Sequence, residues 1–203
     1  MSETTTTDST TANAAVPPSA QSKYQVRFDH GTGGVRRIAR EADVLVWVDQ
    51  VTDAAGGAAT DGGAPGLLVP RDVLADTPGA VLVAGLADAA AAAAWILAEQ
   101  ERLGRRAFLA IVAAGRADGG FAADDLLAAG AVIDALAELG IDDTSPEAAV
   151  ACASYTGLRR AVAHLATASV GGREAIAAGI DPVVLRRAAT RDAGATARVV
   201  RRR

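Results

Sequence analysis

Three carboxylates stand out in this 203-residue chain as candidates for chemistry: Asp49 and the adjacent pair Asp124-Asp125. Hard divalent cations such as Mg²⁺ need only one or two protein carboxylates and keep water in their remaining positions. An ion held in that way neutralises phosphate oxygens and polarises an attacking water. Asp49 and Asp125 are therefore the candidate catalytic residues, and Asp49, Asp124 and Asp125 the candidate metal ligands. Arg116, just after an Ala113-Ala114-Gly115 turn, is a guanidinium placed to bind an anion through two parallel hydrogen bonds. Each of these residues also has an ordinary structural reading. Aspartate caps helices and starts turns, and an arginine in a loop is commonly solvated.

Other reactive residue types carry less. Gly31-Thr32-Gly33-Gly34 has the look of a phosphate loop but lacks the lysine and serine such a loop needs, so it reads as a strand-to-helix turn. His30 lies in a loop with no supporting spacing, and His164 reads as a helix-surface residue. Cys152 sits in an alanine-rich segment and reads as a packed thiol. A single cysteine excludes a disulfide scaffold and a multi-cysteine zinc site.

The elements that must position these residues follow from hydrophobic patterning. Tyr24 to Phe28 alternates and predicts a first strand, followed by a short helix from Gly31 to Arg40. Val44–Val48, Ala80–Ala84 and Phe108–Val112 are continuous apolar runs of the kind buried on both faces of a parallel sheet. Helices are predicted over Asp88–Leu103, stopped by Gly104, and over Asp124–Leu139, stopped by Gly140. Strands alternating with helices predict an α/β fold, a mostly parallel sheet covered by helices. In such sheets ligands bind beyond the carboxyl ends of the strands. Those ends carry Asp29, Asp49, Gly85 and Gly115, which makes Gly85 and Gly115 substrate-binding candidates beside Arg116.

The last third is predicted to be helical. Ser145-Pro146 and Asp181-Pro182 are helix starts, Leu158 to Leu165 marks one further helix, and Ser169 to Ala178 another, ended by Gly179. Val199-Val200 predicts an edge strand. This third either packs on the sheet or forms the face of a homodimer. Residues 1–22 read as a disordered tail, 23–203 as a single domain, and 50–66 as a long loop rich in Gly, Ala and Asp.

Composition bounds the function classes. Alanine supplies about a quarter of the chain and aromatics only 3%, so the core must be built from small and branched aliphatic residues. A net charge of −4 argues against a basic nucleic-acid binder. The longest apolar stretch, Ala89 to Ala98 between Asp88 and Glu99, is too short to span a bilayer, and the amino terminus has no signal-peptide pattern. A soluble, cytoplasmic protein acting on a small molecule is the expectation.

The order of elements from Val81 onward resembles the 2-phosphosulfolactate phosphatase family. The residues carrying the likeness are Val81-Leu-Val-Ala-Gly85, the helix around Trp95, Ile111-Val-Ala-Ala-Gly115, Asp124-Asp-Leu-Leu-Ala-Ala-Gly130, and the small-residue run Ala168 to Gly179 containing Arg173. Tyr24–Gly34 and Val44–Asp49 fit its first two strands. The resemblance implies Mg²⁺-dependent removal of phosphate from a small phosphorylated sulfonate such as 2-phosphosulfolactate, within coenzyme M synthesis. Asp49 matches the aspartate opening the family's Asp-Val-Leu motif, and Asp124 and Asp125 match its acidic pair. After Asp49 the chain departs from the family, reading Gln50-Val-Thr-Asp53, and the segment 50–80 is shortened. That departure motivates an alternative: a catalytically inactive homologue acting as a binding or oligomer-forming module.

Overall fold

The computed structural model of the chain describes residues 16–51, 69–194 and 196–202. They form a mixed α/β fold around one five-stranded sheet. β1 (Val26–His30), β2 (Val44–Val48), β3 (Ala80–Ala84) and β4 (Leu109–Ala113) are mutually parallel, and β5 (Arg198–Arg201) runs antiparallel on the edge of β3. The spatial order is β1-β4-β2-β3-β5. β4 therefore lies between β1 and β2, with Val48 of β2 and His30 of β1 both opposite Ala113.

The continuous apolar runs are explained by two cores, one on each face. Val44, Val46, Val48, Leu82, Ile111 and their neighbours pack under α3 (Ala89–Leu103), α4 (Ala123–Glu138) and α5 (Pro146–Leu158). Leu45, Trp47, Val81, Ala110 and Val112 face the other way, against α1 (Gly31–Ile38) and α2 (Arg71–Asp76). A strand buried on both faces has no polar side to alternate with. The alanine content has a use here, because small side chains let helices approach closely. At Gly130 even a Cβ would collide with the Ala151 carbonyl and Tyr155 Cβ, so glycine is needed where α4 crosses α5.

The last third packs on this frame as α5, α6 (Val162–Ala168), α7 (Val170–Ala177) and α8 (Pro182–Ala188). Ser145 and Asp181 cap their helices as expected, accepting the amides of Ala148 at 3.1 Å and Val183 at 2.8 Å. The single helix expected around Leu158 to Leu165 is instead a break: α5 stops at Leu158 and α6 starts at Val162. α2, with Val73 its one buried residue, was too short to leave a periodic pattern.

Two boundaries move. The first strand runs two residues later than the alternation of Tyr24 to Phe28 suggested, because Arg27 is itself buried, its guanidinium over the Phe108 ring and donating to the Tyr24 and Ile38 carbonyls. The tail expected to run to residue 22 is ordered from residue 16: Pro18–Ala20 makes a 3₁₀ turn and Gln21 is buried. The Gln21 side chain donates to the Phe28 carbonyl at 2.8 Å and accepts the Phe28 amide at 3.0 Å, standing in for a neighbouring strand on the outer edge of β1. Residues 1–15 of that tail, and 52–66 of the long loop, lie outside the described residues. No helix among the described residues is long and apolar enough to cross a membrane.

Candidate functional site

The carboxyl ends of β2 and β4 are adjacent, and Asp125 joins them. Its Oδ1 accepts the Gln50 amide at 2.8 Å, just past β2, and its Oδ2 accepts the Gly115 amide at 2.8 Å, just past β4. These amides lie where the ladder has ended, beyond the Ala114 amide bonded to the Val48 carbonyl. The first turn of α4 supplies the carboxylate that replaces the missing strand partners, and its N-terminus favours negative charge.

Asp124 and Asp125 are both buried, at 3% and 2% exposure, and Asp49 is half-buried. Burial, together with the neighbouring carboxylates of Asp124 and Asp49, pushes the Asp125 carboxyl well above the ordinary range, against the pull of the Gln50 and Gly115 amides. Asp49 and the adjacent pair Asp124-Asp125, about 75 residues apart in sequence, are thus close enough to act together on Asp125. Gly171, in the first turn of α7, comes against the same cluster: a Cβ there would lie 3.4 Å from Asp124 Oδ2.

Gly115 belongs to this site. It has φ +77°, which lets the chain turn sharply so that its amide aims at Asp125. Arg116 stands at the perimeter, its amide bonded to the Gly120 carbonyl and its guanidinium held by Asp118 and Glu174. Gly85, at the end of β3, lies apart from this cluster. Its amide donates to Asp88 Oδ1 at 2.8 Å, it is buried, and a Cβ on it would be 3.0 Å from Gln50 Oε1. Gln50 closes that end of the sheet by accepting the Leu86 amide and donating to the Ala188 carbonyl at the end of α8.

The flank over β1 is aromatic. The His30 ring meets Phe28 edge-on with centroids 4.8 Å apart and faces Phe121 at 6.3 Å; burial and Arg37 lower its pKa while Asp29 opposes them. The glycine turn that follows is a packing device, since a Cβ at Gly34 would run into Asp29, whose carboxylate grips Arg37 through two bonds. Cys152 is half-buried, and burial raises its thiol pKa.

Spacing could not have indicated three further residues. Gln50 looked like part of a loop, Gly171 like a small-residue run, and Glu174 reaches Arg116 across 58 positions. Among the described residues no group of three or more His, Cys, Asp or Glu side chains is arranged to cage a metal. The fold is mixed α/β, and acidic side chains gather at the adjacent ends of two parallel strands. No family model matches the chain, and no curated protein matches it.

Proposed function

We propose that the crevice over β2 and β4 hydrolyses the phosphomonoester of a small anionic molecule with the aid of Mg²⁺. A phosphorylated sulfonate such as 2-phosphosulfolactate is the substrate class that the family resemblance adds. The observation that carries this reading is the convergence of Asp49, Asp124 and Asp125 beside two backbone amides at adjacent strand ends. Carboxylates of like sign gathered in a buried place raise one another's proton affinity, an arrangement a bound cation relieves.

The donor set suits a hydrated ion better than a caged one. Asp49 and Asp124 would hold it, a number of ligands that matches the habit of Mg²⁺. Asp125 takes a different part from that expected of it, because both of its oxygens already accept amides. It is a positioning residue that locks the ends of β2 and β4 and so fixes where Asp49 sits. Bound there, the ion would neutralise phosphate oxygens and polarise a water. The protein's own contribution is placement: strand ends in fixed register, a buried floor that excludes water, and Arg116 on the perimeter for the anion.

The test is release of inorganic phosphate by the purified full chain from 2-phosphosulfolactate and a panel of small phosphomonoesters, with and without Mg²⁺. Mg²⁺-dependent release that disappears in Asp49→Asn is the expected result; no release from any ester sinks the reading. The second reading, a binding module without turnover, is favoured by Arg116 being bound to its own chain. A thermal shift with Mg²⁺ and sulfonates but no hydrolysis would select it, since a ligand that binds only the folded state raises apparent stability.

A further inference from the structure

Arg116 carries an anion-binding fork that is already filled. Its Nη1 and Nη2 donate to Glu174 Oε2 and Oε1 at 3.0 and 3.1 Å, and its Nε and Nη2 donate to Asp118 at 3.3 Å each. The two parallel bonds to Glu174 are the geometry with which a guanidinium grips a phosphate or a sulfonate.

The position of this pair is set by α7. Glu174 follows Gly171 by three residues, so the two lie on one face of the helix. Gly171 packs on the Asp124 carboxylate, Asp125 binds the Gly115 amide, and Arg116 is the next residue. The contacts run in a closed circuit from Asp124 through Gly171, Glu174, Arg116 and Gly115 back to Asp125. Arg116 is thus on the rim of the carboxylate crevice, and Glu174 is what draws its guanidinium to α7.

Two features make the contact exchangeable. The Glu174 and Asp118 side chains are 55% and 64% exposed against 20% for Arg116, so the carboxylate side of each pair is open to water and to a competing anion. α7 is fastened by a small apolar cluster of Val51, Ala175 and Leu185, separate from both main cores. A dianionic ligand offers the two Nη donors that Glu174 takes more charge than that one carboxylate does, with Asp118 left on Nε.

We propose that Arg116 is the anion-receiving residue of the crevice and that Glu174 occupies its fork until a phosphorylated ligand displaces it. The assignment rests on the reading of the crevice as a phosphate site but not on turnover. Its surroundings require such a residue: an anion approaching three carboxylates needs a positive group to meet it as well as a cation to share.

Calorimetric titration of inorganic phosphate into the Mg²⁺-equilibrated full chain tests it. Glu174→Gln should bind phosphate about 5- to 10-fold more tightly and Arg116→Ala at least about 10-fold more weakly. The double variant Arg116→Ala/Glu174→Gln should bind no more tightly than Arg116→Ala alone. Amide hydrogen exchange over 170–177 should quicken in Glu174→Gln, because α7 loses its tie to the rim. Unchanged or weaker binding by Glu174→Gln overturns the proposal, as does a gain that persists without Arg116. If phosphate binding follows this pattern while no ester is hydrolysed, the phosphatase reading fails and the Arg116 assignment stands. If esters are hydrolysed while Glu174→Gln leaves phosphate affinity unchanged, the assignment fails and the phosphatase reading stands.

Discussion

The two ends of the parallel sheet bury the same residue type among different partners. At the amino end, Asp43 accepts two bonds from Arg105, at 2.7 and 2.8 Å, and the Phe108 amide at 3.0 Å. Nearby, Arg106 donates to Gln25 and to Asp143, and Gln25 donates to Gln100. Asp43 and Asp143 each meet a guanidinium. At the carboxyl end Asp125 meets two amides and two further carboxylates, while Arg116 is turned to Asp118 and Glu174. Removing one partner of a buried matched pair strands a charge, whereas like charges held together repel until a bound cation neutralises them. The difference in partners, with similar burial, separates Asp43 from Asp125.

The largest effect expected from breaking this contrast is on activity. Asp49→Asn should lower Mg²⁺-dependent phosphate release by more than about 100-fold, measured as kcat/KM, while raising the midpoint of thermal unfolding. Loss of stability in that variant would mean that Asp49 belongs with the matched kind. At the amino end the sign reverses. Asp43→Ala should cost about 2 kcal/mol in urea unfolding, because it leaves the part-buried Phe108 amide and the Arg105 guanidinium without their acceptor.

A pH series sharpens the comparison further. The Asp125 carboxyl is pushed above its unfolded value of about 3.8, so the folded state holds the proton more firmly. Its contribution to stability is present below that value and is lost as pH rises through the folded value. Asp125→Asn should therefore lack a downward slope that the wild type shows in urea unfolding as pH rises above about 4. Saturating Mg²⁺ should flatten the wild-type slope, and identical slopes in the two proteins would refute the like-charge account. The smallest effect belongs to the rim of the amino end, where Asp143 is 39% exposed in its pair with Arg106. Asp143→Ala should change unfolding free energy by no more than about 0.5 kcal/mol.

Much of the fold was legible because it depends on local pattern. Val44–Val48 and Ala80–Ala84 are strands over the bounds their apolar runs mark, and Gly104, with φ +65°, ends α3 as a left-handed cap. Where a polar side chain did a backbone's work, pattern failed. Gln21 extends the edge of β1 from within a segment that composition assigned to a tail, and buried Arg27 displaced the first strand. The candidate site was legible by half. Asp49, Gly115 and Asp124-Asp125 stand at strand and helix ends, where topology brings ligand-binding residues together. Gly85 stands at an equivalent end but is sealed by Gln50, a contact that no spacing encodes.

Residue types and their periodicity by themselves determined that this chain makes a parallel sheet sandwiched by helices, with acidic groups at its carboxyl edge. The reason is that burial on both faces demands unbroken apolar runs, and turns at strand ends favour Asp and Gly. Only the tertiary structure decided which of those acidic groups meet and which side chains hold Arg116. Strand order sets β4 beside β2, so Asp125 spans their ends, and α7 lies where Glu174 can take the fork of Arg116. Such pairings depend on distances across the fold between residues far apart in the chain, and side-chain electrostatics at those distances has no signature in linear spacing.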